Sequence, residues 1–372
     1  QSWSPSDRRR GSVRRFNDEV RLTYGRSPRA LRKPGAHSRS DDLELFLPVR
    51  GPYHAEWVFS FLEQRALDGI EEVEGLEYRR ALFLDGERHG WLRVCWHGEG
   101  PSPSGGPSLG AGPTFGGGLK LSVPATGVVN LGDLLALVRR VFDLDADSLV
   151  VDEDLKSDPL LAAQLSEDPG LRVPGAWDGF EIAVRAILGQ QVSVARAKVL
   201  ATKLCVNYGG GDFPTAERLI DADVSEIGMP GKRGEAVRAL AREVRQGGLV
   251  LDEGADPEDL DQALRALPGI GPWTAGYIGM RVAHNPDAYV ESDWVVLKML
   301  DMTAARARAH AETWRPWRAY AVMVLWRMAA RQRKMAARRK MAARRGDMAA
   351  QQRRASAKQQ KASAKQQRAS AQ

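Results

Sequence analysis

A glycine hairpin and one acidic residue are where the chemistry of this chain concentrates. The stretch "LPGIGPWTAGYIGM" (267–280) sets Gly269 and Gly271 on either side of Ile270, just before a helix whose first turn holds Trp273 and Thr274. Without Cβ atoms, the two glycines can take positive φ and let another molecule come close. The free N–H groups opening the next helix favour an anion. A DNA phosphate fits such a grip, which holds the backbone without reading sequence. Twenty residues beyond Trp273, "DAYVESDWVVLKML" puts Asp293 at the start of another helix. There Ser292 or Asp293 is either an N-cap for orphan backbone N–H groups or, in the case of Asp293, a carboxylate set to act on what the hairpin holds. A protein that merely bound DNA would have no need of a carboxylate beside a phosphate grip.

The elements that must position these residues follow from hydrophobic periodicity. "LDQALRAL", the "PGIG" turn and "WTAGYIGMRVA" make a helix-hairpin-helix. From residue 129 the pattern is helical throughout, clearest in "WDGFEIAVRAILGQQ". There Asp178 and Glu181 read as a capping box, and Phe180, Val184, Ile187 and Leu188 form the buried stripe. Further helices fit "VARAKVLATKLCVNYG", "KRGEAVRALAREVRQ" and "RPWRAYAVMVLWRMAA". Residues 127–330 are therefore expected to be all-α. Ahead of them, "HAEWVFSFLEQRAL" reads as a helix, while "LEYRRALFL" and "GWLRVCW" alternate like half-buried strands joined by "DGERHG". A flexible loop fills 97–118 and "LKLSVP" returns as a strand, so 41–126 reads as an α+β domain.

Composition bounds the reading. The 372 residues are 43% hydrophobic, enough for two or three cores. No apolar run approaches the roughly 18 residues of a membrane span. Cys95 and Cys205 give no disulfide framework and no zinc spacing, and no metal site is expected among the six histidines; a reducing cytoplasm is the natural setting. The net charge of +7 divides unevenly. Residues 1–40 carry 11 Lys/Arg against 3 Asp/Glu, and 331–372 carry 14 against 1, so the middle of the chain is acidic. The low-complexity tail 331–372 has no apolar face to dock and is expected to be mostly disordered, attracting a polyanion without sequence choice.

Hairpin and aspartate together resemble the helix-hairpin-helix base-excision DNA glycosylases. "RVPGAWDGFEIAVRAILGQQVSVARAKVLATKLCVNYG", "GMPGKRGEAVRAL" and "WRPWRAYAVMVLW" resemble the DNA-3-methyladenine glycosylase II, or AlkA-like, branch. "LPVRGPYHAEWVFSFLEQRAL" is similar to that branch's N-terminal domain, so the likeness covers about residues 43–328. "GSVRRFNDEVRLTYGRSPRALR" (11–32) resembles the last helices of an AraC-type helix-turn-helix, a remnant of the kind fused to this glycosylase in Ada-type regulators; the methyl-acceptor cysteines are absent, so no methyltransferase activity is implied.

The resemblance implies a monofunctional hydrolase that flips alkylated purines of the 3-methyladenine and 7-methylguanine type out of double-stranded DNA. Asp293 becomes the catalytic carboxylate. Trp273, Tyr277 and Trp326 become pocket walls, although "AVMVLW" also reads as plain helix core around Trp326. Trp273 stands where the strand-cutting branch has a Schiff-base lysine. Gly269, Ile270, Gly271 and Thr274 hold DNA, with Gln191 in "LGQQVSV" as the wedge that fills the gap or else a cap of its helix. Val324 replaces a histidine common in relatives. A monomer without cofactor is implied, whose hairpin carbonyls can hold a monovalent cation. Two rivals remain at this point: a related specificity for deaminated purines, and a DNA-binding regulator without catalysis.

Overall fold

The computed structural model describes residues 42–84, 87–98, 117–124, 130–229, 231–252 and 254–369. The helix-turn-helix remnant at 11–32 lies outside the described residues, as do most of the loop at 97–118 and the last three residues of the tail. Two compact units are present, Gln1–Val324 and Leu325–Gln372.

The first unit begins with five strands: β1 (Asp42–Pro48), β2 (Glu71–Glu74), β3 (Glu77–Leu84), β4 (Glu87–His97) and β5 (Gly118–Pro124), with helix α1 (Ala55–Glu63) after β1. They pair antiparallel in the order β1-β5-β4-β3-β2. Alternation explains the buried face. Leu45 and Leu47 of β1, Leu92 and Val94 of β4, and Leu119, Leu121 and Val123 of β5 are all buried. The β3–β4 ladder runs to Leu84↔Glu87, so Glu87–Gly90 extend the strand where a longer turn was expected.

After Pro124 the regular elements among the described residues are helices, apart from one isolated bridge between Gly210 and Asp212. Helices α2 (Leu131–Val141), α3 (Ser148–Leu155) and α4 (Pro159–Glu167) come first, then α5 (Gly179–Leu188) and α6 (Val194–Leu204), the latter running into a π-turn at Cys205–Gly209. The chain continues through α7 (Ala216–Leu219), α8 (Gly231–Gln246), α9 (Pro257–Ala266), α10 (Pro272–Arg281), α11 (Trp294–Leu300) and α12 (Ala304–Ala311). The stripe expected on α5 is buried in full and lies in one apolar cluster with Leu240 of α8, Leu264 of α9 and Ile278 of α10.

Two polar devices fix the sheet region to the helices. Arg172, fully buried, donates to the carbonyls of Asp143 (3.0 Å), Ala146 (2.6 Å), Arg50 (2.8 Å) and Pro52 (3.1 Å). The other is ionic and corrects the capping-box expectation. Asp178 Oδ1 does accept the Glu181 N–H at 2.7 Å, but the Glu181 carboxylate takes Arg80 of β3 (2.5 Å) and Arg185 of its own helix (2.6 Å). Bonds to charged guanidinium groups are roughly twice as strong as one to a neutral backbone N–H, so the tertiary partners win.

Helix α13 (Arg318–Ala369) starts in the first unit and runs through the second. This corrects the expectation of a mostly disordered tail. Ala, Arg, Lys, Gln and Met are among the best helix formers and no proline interrupts 318–369. Once a helix is nucleated, each further residue adds a hydrogen bond without repeating the nucleation cost. Among the described residues no helix is long and apolar enough to cross a membrane.

Candidate active site and nucleic-acid interface

The hairpin is built by α9 and α10. Leu260 and Leu264 of α9 and Ile278 of α10 bury the inner faces, and Ile270 is buried between the two glycines. Ile270 thus anchors the turn by its side chain, and its N–H closes the turn on the Leu267 carbonyl at 3.3 Å. Gly269 has φ +78°, and a Cβ there would come within 3.0 Å of Ala236. Gly271 departs from the expected pair: its φ of −98° is extended, and nothing lies within 4 Å of where its Cβ would be. One glycine makes the turn; the other leaves an open approach. Pro272 opens α10, contributing fixed φ but no N–H, so the anion-favouring donors begin at Trp273.

Thr274, expected among the DNA-holding residues, is buried, and its hydroxyl accepts Gln190 Nε2 at 2.9 Å. That side chain is turned inward, so only the backbone N–H of Thr274, in the first turn of α10, is left to meet a phosphate. The same Gln190 nitrogen donates to the Gly269 carbonyl at 2.8 Å, so this hairpin oxygen already has a donor. Sequence reasoning passed over Gln190 in favour of its neighbour. Gln191 is exposed, with a left-handed φ of +55°, just past the end of α5. Since left-handed backbone is costly for a residue with a side chain, the two bonds of Gln190 help hold the turn that projects Gln191. We expect Gln190→Ala to weaken binding of duplex DNA by about tenfold, the value of one or two lost hydrogen bonds. Thermal melting should change little. Equal losses for Gln190→Ala and for Gln190→Glu, which keeps only acceptors, would assign the effect to donation; normal binding by both would discard the role.

Asp293 caps α11, where its Oδ1 accepts the Val296 N–H at 2.9 Å. Its Oδ2 accepts the indole Nε1–H of Trp273 at 2.8 Å. The two readings of this residue are thus not exclusive, because one oxygen caps and the other meets the hairpin helix. Asp293 is buried, with 8% of the residue exposed. Trp273 also stacks on Tyr277, one turn along α10, with ring centroids 5.5 Å apart and planes within 10°. Both rings are half-buried. Trp326 lies on α13 in the second unit and is half-buried there. Val324 is buried.

The Tyr277 hydroxyl accepts Arg281 Nη1 at 2.7 Å. Burial alone would raise the phenol's pKa, but Arg281, Arg65 and Arg185 together outweigh it and bring it down to about 8. Arg281 was detectable in principle, being four residues from Tyr277 on one helix face. Arg65 and Arg185 come from elsewhere in the chain and leave no local signal. Among the described residues no group of three or more potential metal ligands occurs.

Comparison with known proteins bears on both regions. The AlkA N-terminal domain family matches residues 44–178. A Mycobacterium tuberculosis protein named "Probable bifunctional transcriptional activator/DNA repair enzyme AlkA" is 36% identical over 341 residues, which is 85% of this chain and 64% of that protein. The chain therefore spans about 64% of the length of this relative. DNA-3-methyladenine glycosylase 2 of Escherichia coli is 34% identical over 287 residues, covering 74% of this chain and 94% of that enzyme. In fold, the chain is similar to 3-methyladenine DNA-glycosylase from Archaeoglobus fulgidus, with a TM-score of 0.59 at 19% identity, over 75% of this chain and 96% of the other.

Proposed function

The chain belongs to the AlkA-type DNA-3-methyladenine glycosylases, and from that membership we propose that it flips alkylated purines out of double-stranded DNA and hydrolyses their N-glycosidic bond in base-excision repair. The observation that carries the proposal is the Asp293 carboxylate. It is fixed by Val296 N–H and by Trp273 Nε1–H, next to the hairpin suited to a DNA phosphate.

Alkylation at N3 or N7 makes a purine cationic, so the base leaves without a general acid. The sugar is what needs help, since it becomes oxocarbenium-like as the bond breaks. A preorganised carboxylate in a poorly hydrated site stabilises that charge and orients the attacking water. The cationic base gains from electron-rich aromatic faces, on the order of 0.5–2 kcal/mol per good contact. Trp273 and Tyr277 are already stacked on one another, so they form a single platform, and the flipped base lies against it rather than between the two rings. Gln191 serves as the wedge, the hairpin backbone takes a phosphate, and the basic segment 331–372 adds affinity without sequence choice. In this reading residues 41–126 support the glycosylase domain at 127–330.

Strand cleavage is absent from the proposed reaction. Trp273 occupies the place of a Schiff-base lysine, and an indole cannot attack the sugar carbon. Incubating the protein with methylated duplex DNA is expected to release 3-methyladenine and 7-methylguanine, leaving abasic sites that break only after alkali. Borohydride is expected to trap no protein–DNA adduct. A trapped adduct would defeat the water mechanism; failure to release any methylated base would return the chain to the DNA-binding regulator class.

A further inference from the structure

Helix α13 runs without a break for 52 residues, about 78 Å at a rise of 1.5 Å per residue. Its cations do not form one continuous run. Lys and Arg supply eight of the fifteen residues at 331–345 and six of the sixteen at 353–368. Between these blocks "GDMAAQQ" (346–352) holds no cation, and it contains Asp347, the single acidic residue beyond position 330. Gly346 stands there too. Glycine is the poorest helix former short of proline, so α13 bends most easily between the two blocks.

The blocks also differ in helical phase. At about 100° per residue, Arg331, Lys334, Arg338 and Arg345 fall within one arc of about 60°. All six cations of the second block, Arg353, Arg354, Lys358, Lys361, Lys365 and Arg368, fall within an arc of about 140°. The centres of the two arcs are about 140° apart around the helix, and the midpoints of the blocks about 34 Å apart along it. Each block is about 22 Å long, a length over which a duplex offers about a dozen phosphates. One straight duplex laid along the second arc therefore leaves the first turned away from it. A membrane-surface helix needs an apolar face beside its cations, whereas the second block has only Ala, Ser and Gln between them. Phosphate is the group these blocks match.

We propose that the two basic blocks of α13 hold two separate segments of double-stranded DNA, so that the protein bridges duplexes. The proposal rests on duplex binding by the tail, which the reading above includes, and not on base excision. Each block grips backbone without reading sequence, and counterion release supplies the affinity. The cation-free spacer and the change of phase keep one duplex from occupying both blocks. A chain held on one segment by one block can then take hold of a neighbouring segment with the other before it lets go of the first.

Bridging is read by immobilising an undamaged duplex on beads, adding the full chain, and measuring how much of a second, fluorescent duplex is retained. The full chain is expected to retain it. With about four phosphates held per block, retention should fall about a hundredfold between roughly 50 and 200 mM salt. Two insertions then test the geometry at constant charge. Two alanines placed after Ala350 turn the second block by about 200° and bring its arc over the first. Retention should drop about tenfold or more, because one duplex now takes the phosphate contacts of both blocks, while affinity for a single duplex holds or rises. Seven alanines at the same point turn it by about 700°, close to two whole turns, and should leave retention at the wild-type level. Equal retention by the two-alanine variant and the wild type overturns the proposal. So does a full chain that binds the first duplex and retains none of the second. Release of methylated bases, followed in the same samples, should be alike in all three proteins. Its absence from the wild type defeats the glycosylase reading and leaves bridging standing.

Discussion

Asp293→Asn is expected to slow base excision by a factor on the order of 10²–10⁴ while the protein still folds and still holds duplex DNA. Geometry sharpens what the substitution removes. Asparagine can keep its oxygen on Val296 N–H and so keep the cap. Its amide nitrogen then faces Trp273 Nε1–H, donor against donor, where a carboxylate oxygen accepted at 2.8 Å. The negative charge and the indole bond are lost together. A buried donor left unsatisfied costs about 1–3 kcal/mol, so a lowered melting temperature is expected beside the rate loss. DNA affinity should hold or improve, because one negative charge near the phosphates is gone. Trp273→Phe separates the contributions, since it keeps an aromatic ring and the Asp293 charge but deletes the N–H. Excision by that variant should fall less than by Asp293→Asn, with a comparable change in melting. Near-normal excision by Asp293→Asn would leave only the cap and would sink the catalytic assignment.

The double use of Asp293 shows where sequence reasoning stops. The hairpin was legible because its signal is local: two glycines around a buried isoleucine, between two amphipathic helices. A short acidic residue at the start of α11 was legible too, but the choice between cap and catalyst was not. The second carboxylate oxygen meets an indole twenty residues away, a contact that no local pattern announces. Gln190 and Gln191 are adjacent and identical in type, so nothing local tells which one turns inward to Thr274 and Gly269. Glu181 matched a local capping pattern and was drawn off by Arg80, 101 residues distant in the chain. Even the strand at Asp42–Pro48, whose leucines alternate plainly, finds its partner only across the long segment that precedes Gly118. Local chemistry was readable. Competition between local and distant partners was not.

Glu181→Ala is expected to destabilise the fold by about 3–5 kcal/mol, the usual cost of removing one member of a buried ion network. The network is a closed arrangement of two carboxylates and two guanidinium groups. Arg80 reaches Glu181 at 2.5 Å and Glu71 at 3.4 Å, while Arg185 reaches the same two at 2.6 and 3.2 Å. Tyr78 donates to Glu71 at 2.6 Å and the Leu67 N–H at 3.0 Å, so Glu71 is well supplied with donors. Deleting Glu181 leaves Arg80 and Arg185 sharing one carboxylate in a site where their side chains are only 11% and 14% exposed. Arg80 belongs to β3 and Arg185 to α5, so the loss falls where the sheet meets the helices. The pH dependence has a definite sign. Burial alone would raise the Glu181 pKa, but Arg80 and Arg185 more than reverse this and hold it below 4.5. A carboxyl with a depressed folded-state pKa contributes its full stability above the unfolded value and loses it as pH falls through the folded one. Wild-type stability should therefore decline below about pH 4.5, more steeply than that of Glu181→Ala. Urea melts across that range measure both effects. An apolar pair, Arg80→Met with Glu181→Leu, removes charge from both sides and should recover much of the loss. If the double variant is as unstable as Glu181→Ala, packing rather than charge holds this junction.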